Sequence, residues 1–197
     1  QKNSLLRQGF KEQVPLWNEL LASTAIKIME HRLNFVEQMN LHLHDIFMNL
    51  SGRSEKLVLV YKPSLNPFKM NRETLIMQLA NSLSRDLQYG FAVLGPHRDE
   101  FNLMIDEKKD KDYFSQGEFR ITNLSLKMAI NNLLYQTYKF SPVLIFDDLF
   151  SELDDAVVKQ ILKFFQNLKN QIFITSTSLP KDYMPEKYFQ IKNGQLV

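Results

Sequence analysis

Two adjacent carboxylates, Asp147 and Asp148, follow a short apolar segment that ends at Phe146. A strand that ends in an acid is typical of a magnesium site, because Mg²⁺ is a hard ion that prefers carboxylate oxygen and keeps several waters. Asp147 is placed to hold such an ion. Asp148 would point to the other side and polarise an attacking water. The pair by itself also fits an ordinary solvated turn.

A second polar string, Ser115, Gln116 and Gly117, opens a helix-forming segment earlier in the chain. Free backbone N–H groups and the positive end of the helix dipole make such a start an anion site. Gly117 permits close approach, and the Ser115 hydroxyl adds a donor. Ser115 is equally a preferred N-cap, and Glu118 three residues later completes the pattern of a capping box. The two interpretations are compatible.

The second half of the chain, residues 91–197, contains the elements that must position these groups. Strands are predicted at Phe91–Leu94, Phe101–Ile105, Val143–Phe146 and Ile172–Thr175, helices at 117–138 and 156–168, a turn at 106–112 and a closing hairpin around Asn193-Gly194. Alternating strands and helices predict an α/β layer with right-handed crossovers. The wholly apolar strand that ends at Phe146 predicts a buried parallel sheet.

The first half, residues 1–90, predicts a mostly helical subdomain. The predicted elements are one long helix or two in series from Val14 to Leu50, ended by Ser51-Gly52, a strand at Leu57–Tyr61, and an amphipathic helix from Arg72 to Leu87 capped by Asn71. Apolar residues at helical spacing support both helices, and Asn is among the preferred N-cap residues.

The composition bounds the class of protein. A length of 197 residues with 44% hydrophobic residues allows one large or two small domains with a packed core. The absence of cysteine excludes disulfides and thiolate metal sites and fits a reducing cytosol. No apolar run reaches the length of a membrane span. The net charge of +2 does not by itself indicate nucleic acid. A start at Gln1 suits a piece of a longer protein.

In order and spacing these strings resemble the C-terminal half of the RecF family, bacterial recombination mediators with an SMC-like ABC ATPase head. The resemblance is carried by Gly95-Pro-His-Arg-Asp99, Ser115-Gln-Gly117 with Arg120, Leu144-Ile-Phe-Asp-Asp148, Ser151-Glu-Leu-Asp154, Arg32–Glu37, Leu50–Gly52 and Tyr61–Ser64. It implies an α/β fold: the C-terminal part of an ABC/SMC-like ATPase domain at 91–197. The helical subdomain at 1–90 (lobe II) would be inserted before the signature motif. The Walker A pattern G-x-x-x-x-G-K-[ST] is absent from the sequence.

The resemblance implies roles at a dimer seam. Ser115, Gln116 and Gly117 would form the signature motif, which contacts the γ-phosphate of ATP held by the opposite protomer. Ser151 to Asp154 would be the D-loop at the same seam. A carboxylate at Glu118 would repel a triphosphate unless it faces its own helix terminus.

The Walker B strand of the family supplies the remaining implied roles. Asp147 would hold Mg²⁺, and Asp148 stands where many ABC proteins carry the catalytic acid. Thr177 follows the last core strand, where many ABC proteins place a switch histidine, and it would be a sensor of the nucleotide.

The function implied by the resemblance is ATP-driven homodimerisation on double-stranded DNA near single-strand gaps, with ATP and Mg²⁺ as cofactors. The cellular roles would be recombinational repair, replication restart and the SOS response, in the cytoplasm, with RecR- and RecO-type mediators as partners and no membrane. The full-length protein is expected to be a slow ATPase. This chain alone is expected to be inactive, because no Walker A loop is present to cradle the phosphates.

Three alternatives remain open at this level. A transporter-type ABC subunit would have a membrane partner; the long helical insert and the string at 95–99 speak against it. A two-metal nuclease would use Asp147, Asp148 and Asp154, and DNA cleavage with a divalent metal but without nucleotide would distinguish it. A binding-only role, without any activity of the chain itself, is the third.

Overall fold

The computed structural model describes residues 1–66, 71–106, 108–109, 114–180, 183 and 185–197. Its helices are α1 Lys2–Gln8, α2 Val14–Ser51, α3 Arg72–Asn81, α4 Leu83–Tyr89, α5 Gln116–Tyr138 and α6 Asp155–Gln166. Its strands are β1 Leu57–Lys62, β2 Glu100–Ile105, β3 Lys108–Lys109, β4 Leu144–Phe146, β5 Ile172–Ile174, β6 Ile191–Lys192 and β7 Gln195–Leu196. Residues 107 and 110–112 of the predicted charged turn lie outside the described residues.

The chain packs as two compact units. The first comprises residues 1–45 and 55–114, and the second comprises residues 46–54 and 115–197. Helix α2 contributes to both. Strand β2, which the sequence suggested would belong with the second half, pairs antiparallel with β1 in the first unit. The predicted domain boundary near residue 90 stays a prediction, because a division by packing does not define a functional domain.

The first unit is built around α2, which is a single helix of 38 residues. Its apolar side chains recur at helical spacing and pack in one core with α3 and the segment after β1. The buried members of this core are Ala22, Ala25, Met29, Tyr61, Leu65, Leu75 and Leu79. The predicted long helix is therefore confirmed in its unbroken form.

The predicted helix from Arg72 to Leu87 is wrong at its middle, where the chain forms α3 and then α4. Asn71 caps α3 as predicted, since its Oδ1 accepts a hydrogen bond from Thr74 N at 2.8 Å. The break lies at Ser82, whose buried hydroxyl donates to Leu79 O at 2.9 Å and lies 3.3 Å from Asp86 Oδ2. Such local bonds of serine compete with the helical ladder.

The predicted strand Phe91–Leu94 is wrong because side chains take the backbone groups that a neighbouring strand would need. Asn3 Oδ1 accepts from Ala92 N at 2.9 Å, and Asp86 Oδ1 accepts from Val93 N at 2.8 Å. Backbone N–H groups satisfied in this way are no longer available for a ladder. The apolar sequence signal was correct about burial of Ala92 but not about pairing.

Asp99 gives the string at 95–99 a structural role that the sequence did not reveal. Its side chain is 1% exposed. Asp99 Oδ2 accepts from Arg32 Nη1 at 2.5 Å and from the Tyr61 hydroxyl, and Oδ1 accepts from Ser64 N at 2.9 Å. Burial, followed by the bond to Asp99, raises the pKa of Tyr61 to about 12. Buried charges persist when they are paired in this way, so Asp99 ties α2, β1 and the following loop together.

The second unit contains the parallel pair β4–β5, with Phe146 opposite Ile174. Phe146 is buried and stacks on Phe165 of α6 with ring centroids 5.1 Å apart. Ile145 and its register partner Phe173 are 72% and 48% exposed. The prediction of a strand buried on both faces is therefore wrong, because only one face of the pair is covered.

The chain closes with the antiparallel hairpin β6–β7, as predicted. Its turn residues, Asn193 and Gly194, both have positive φ, 51° and 77°. This is the conformation that a two-residue type I′ turn requires. In the described ranges, no helix has both the length and the apolar character needed to cross a bilayer.

Candidate functional site

The carboxyl end of the β4–β5 pair brings Asp147, Asp148 and Thr175 together. Because the ladder continues past both strands, with Thr175 N donating to Phe146 O at 2.9 Å, the residues that follow lie side by side. Thr175 Oγ1 donates to Asp147 Oδ1 at 2.5 Å and accepts from Asp148 N at 2.9 Å. One hydroxyl thus orients the first aspartate and fixes the backbone of the second.

Asp147 fits the magnesium role that the sequence suggested. Its side chain is exposed, and only one of its oxygens accepts a hydrogen bond from the described part of the chain. Within that part no group of three potential metal ligands is found. Mg²⁺ suits this setting, since proteins hold it through one or two carboxylates, waters and substrate phosphates. A two-metal nuclease would need several converging acids.

Asp148 lies in a left-handed backbone conformation, with φ of 47°. Its amide is held by Thr175, and its carbonyl accepts from Arg120 Nη1 at 3.1 Å. Aspartate and asparagine enter this region more readily than other non-glycine residues. Glu152, four residues on, has φ of 61°. Two such residues within one short loop indicate local strain of the kind that clusters at functional sites.

Ser115 begins α5 with the predicted capping box. Its hydroxyl accepts from Glu118 N at 3.3 Å, and Glu118 Oε2 accepts from Ser115 N at 2.8 Å. The cap is therefore confirmed. It satisfies two of the amides that a helix start leaves unpaired, and the rest remain for a ligand or water. The proposed contact of Ser115 with a phosphate stays a prediction.

Glu118 faces its own helix terminus and carries a second partner, Arg53. Arg53 Nη1 donates to Glu118 Oε1, and the two side chains are 35% and 29% exposed. The Arg53 guanidinium, followed by the Ser115 N–H, lowers the pKa of Glu118 from 4.5. The carboxylate is thus fixed in place and paired with a positive charge.

Gly117 and Gln116 pack against the loop that follows β4. A Cβ at Gly117 would lie 3.2 Å from Glu152 O, so the absence of a side chain permits this close approach. With its amide nitrogen turned toward the loop, Gln116 donates to the two Glu152 carboxylate oxygens at 2.9 and 2.8 Å. Arg120 Nε donates to the same carboxylate at 3.3 Å. The start of α5 and this loop therefore form one polar cluster within the chain.

The other predicted site residues lie around this cluster. Ser151 has a buried hydroxyl without a hydrogen-bond partner in the described structure. Asp154 precedes α6 as its exposed N-cap, and its side chain makes no capping bond. Thr177 is exposed, and the described residues show no hydrogen bond to its hydroxyl. Their suggested roles as D-loop and sensor residues stay predictions.

Sequence reasoning missed Arg53 as a member of the site, and it gave no role of its own to Thr175, at the end of the last core strand, or to Glu152, inside the predicted D-loop. Thr175 could have been found, because residues that directly follow neighbouring parallel strands meet at one sheet edge. The structure places Thr175 beside Asp147, whereas Thr177 lies two residues further along the chain. No pattern in the sequence links Arg53 to Glu118, since 64 residues separate them.

Glu118→Gln should lower stability near neutral pH and leave it unchanged in acid. The substitution keeps the capping-box geometry and removes the charge. A carboxyl group whose pKa is lower in the folded state stabilises the fold above its unfolded pKa, and this contribution disappears as the pH falls through the folded pKa. Urea unfolding should therefore give free energies that differ at neutral pH and converge as the pH falls through the lowered folded-state pKa of Glu118.

The exposed Glu37 of α2 provides the control for this measurement. Glu37→Gln should give a free energy of unfolding close to that of the unchanged chain throughout the same pH range. A Glu118→Gln difference that stays constant from neutral to acid pH would contradict the electrostatic explanation.

No protein-family model matches the chain. The DNA replication and repair protein RecF of Trichlorobacter lovleyi is 32% identical over 202 residues, covering 100% of this chain and 55% of that protein. A solved structure of the recombination mediator protein RecF-ATP in the RecFOR pathway matches with a TM-score of 0.79 at 29% identity, covering 100% of this chain and 54% of that one. The chain belongs to the RecF family.

The fold predicted from the sequence is confirmed. Besides the RecF structure, an SMC ATPase matches with a TM-score of 0.52 at 19% identity, covering 85% of this chain and 86% of that one. At that identity the second match supports the fold alone, which is part of an α/β ABC/SMC-like ATPase head. The chain spans about half the length of the curated RecF relatives it matches and fits the C-terminal part of the family.

Proposed function

We propose that the chain supplies the signature, Walker B and D-loop part of an ATP-dependent DNA-repair protein of the RecF type. The protein would dimerise with ATP on duplex DNA near single-strand gaps and act in recombinational repair and replication restart in the cytoplasm. RecR- and RecO-type mediators would be its partners. The relatives support this proposal because they are named DNA replication and repair proteins. The similar solved structure supports it because it is of RecF with ATP, in the RecFOR pathway.

One observation carries the proposal: Asp147 lies at the carboxyl end of the parallel pair with its oxygen held by Thr175. In open α/β sheets, ligands bind outside the carboxyl ends of the strands. A carboxylate oriented there by a fixed hydroxyl is prepared for a hydrated magnesium ion. Asp148 follows it on a constrained backbone, placed to accept a proton from a water.

The remaining predicted residues would contact the ATP of a second protomer. The start of α5 offers backbone amides beyond the two in the capping box, the Ser115 hydroxyl and Gly117, which suit a phosphate presented by another protomer. Ser151 and Asp154 would lie along the same seam. ATP, when bound, would supply both the phosphate that bridges two protomers and the bond that is hydrolysed. Neither the magnesium site nor the phosphate contact requires a complete Walker A motif in the present chain.

DNA binding by the full-length protein that carries this chain tests the proposal. Binding to a gapped duplex should be stronger with ATP and Mg²⁺ than without nucleotide, and affinity should fall steeply with salt because the contacts are to phosphate. A blunt duplex and a single strand serve as matched substrates. Nucleotide-independent binding, or cleavage of the DNA with Mg²⁺ alone, would contradict the proposal, and the second result would restore the nuclease alternative.

A further inference from the structure

Among the residues that the structure describes, Arg53 is the charged side chain that pairs with Glu118. Its guanidinium donates to Glu118 Oε1, while Glu118 Oε2 is taken by Ser115 N at 2.8 Å. Each oxygen of the Glu118 carboxylate therefore accepts a hydrogen bond. Both side chains are about two-thirds buried, so solvent screens their attraction less than it screens an exposed ion pair.

The position of Arg53 is built into the fold of the second unit. Gly52 ends α2 with φ of +70°, and its amide donates to Met48 O at 2.9 Å. A Cβ at Gly52 would lie 2.6 Å from Gln160 Nε2 of α6. The backbone before Arg53 is therefore packed directly against α6, in a conformation that favours glycine. Arg53 also makes a further interaction besides the one with Glu118.

Charge at this point matters because the helix start is the proposed phosphate contact. A carboxylate three residues into α5 would repel an approaching phosphate, and this repulsion acts over the few ångströms where Coulomb energies are large. A guanidinium paired with the same carboxylate cancels most of its electric field. Without it, the negative charge of Glu118 would be uncompensated.

We infer that Arg53 is a positioning residue for the signature motif: it holds the Glu118 carboxylate inside the capping box and neutralises it, so that the start of α5 accepts a phosphate from a second protomer. This inference rests on the proposed function. It also ties phosphate acceptance to a residue two positions after the end of α2, a helix shared by both compact units.

A double-mutant cycle in the full-length protein tests this role. ATP-driven dimerisation is measured by sedimentation for the unchanged protein, Arg53→Gln, Glu118→Gln and the double variant. Arg53→Gln should weaken the dimer about tenfold when Glu118 is present, and less than about twofold in the Glu118→Gln background, because there is no charge left to neutralise. Arg53→Lys should restore part of the loss, since it returns the charge without the planar fork.

Matched measurements separate this role from a merely structural one. Arg72→Gln, which breaks an exposed ion pair with Glu19, should leave the dimer unchanged. If Arg53→Gln weakens the dimer equally in both backgrounds and lowers the melting temperature in both, Arg53 only supports the fold and the inference is overturned. An unchanged protein that does not dimerise with ATP overturns the proposed function and this inference together. If the unchanged protein dimerises with ATP and Arg53→Gln does not weaken the dimer, the inference alone is overturned.

Discussion

Asp148→Asn should slow ATP hydrolysis by the full-length protein about 10²- to 10⁴-fold, the range that general-base catalysis contributes, while nucleotide affinity stays near its original value. Asparagine is the right substitution because it also tolerates the left-handed conformation that Asp148 adopts, φ of 47°. Its amide keeps the size of the side chain and cannot take the proton. Alanine would add backbone strain to the loss of the base.

Asp147→Asn should behave differently, because its carboxylate is oriented by Thr175 for a metal. We expect Mg²⁺-dependent nucleotide affinity to fall roughly 10- to 100-fold, as for other residues that hold a metal through water, together with turnover. Equilibrium nucleotide binding with and without Mg²⁺, beside single-turnover hydrolysis, separates the two variants. The exposed Asp45 supplies a neutral control as Asp45→Asn. A result in which Asp148→Asn loses affinity and Asp147→Asn loses only turnover would reverse the two roles.

Ser115→Arg should abolish ATP-driven dimerisation and leave each monomer folded and able to bind ATP. The start of α5 packs closely on the Glu152 loop, with only 3.2 Å between a Cβ at Gly117 and Glu152 O. A long side chain at the exposed Ser115 would therefore extend toward the proposed seam rather than into the chain's own interior. Loss of the serine cap alone would cost roughly 1 kcal/mol of stability and change nothing at a distance.

Two further variants distinguish capping from phosphate contact at Ser115. Asn and Asp are both good N-cap residues, so Ser115→Asn and Ser115→Asp should melt close to the unchanged protein. Only Ser115→Asp adds a negative charge where the phosphate would approach, and it should prevent dimerisation. If Ser115→Arg still dimerises with ATP and merely melts earlier, Ser115 is a cap and the signature role is wrong.

Local signals predicted most of the fold, and non-local contacts account for the errors. The capping box at Ser115, the cap at Asn71 and the turn at Asn193-Gly194 depend on residues close in the chain, and all three are present. The strand expected at Phe91–Leu94 failed because Asn3 reaches Ala92 across the fold. Such a contact leaves no periodic pattern in the sequence.

The candidate site shows the same contrast between local sequence signals and non-local contacts. The order and spacing of the aspartates and the signature string indicated which residues belong to it. Their neighbours depended on the register of β4 against β5, which puts Thr175 rather than Thr177 beside Asp147. The pairing of Arg53 with Glu118 likewise needed the packing of Gly52 on α6. Sequence reasoning could state that Glu118 must face its own terminus, but not what would neutralise it.

The division of α2 between two compact units has a consequence for how the protein opens locally. Proteins unfold in cooperative segments that follow packing rather than the bounds of helices. We therefore expect the amides of residues 46–51 to open together with those of α5, although they continue the helix of residues 14–45. Loosening of the first unit would fray α2 only as far as Asp45, and the turn that carries Arg53 would keep its place.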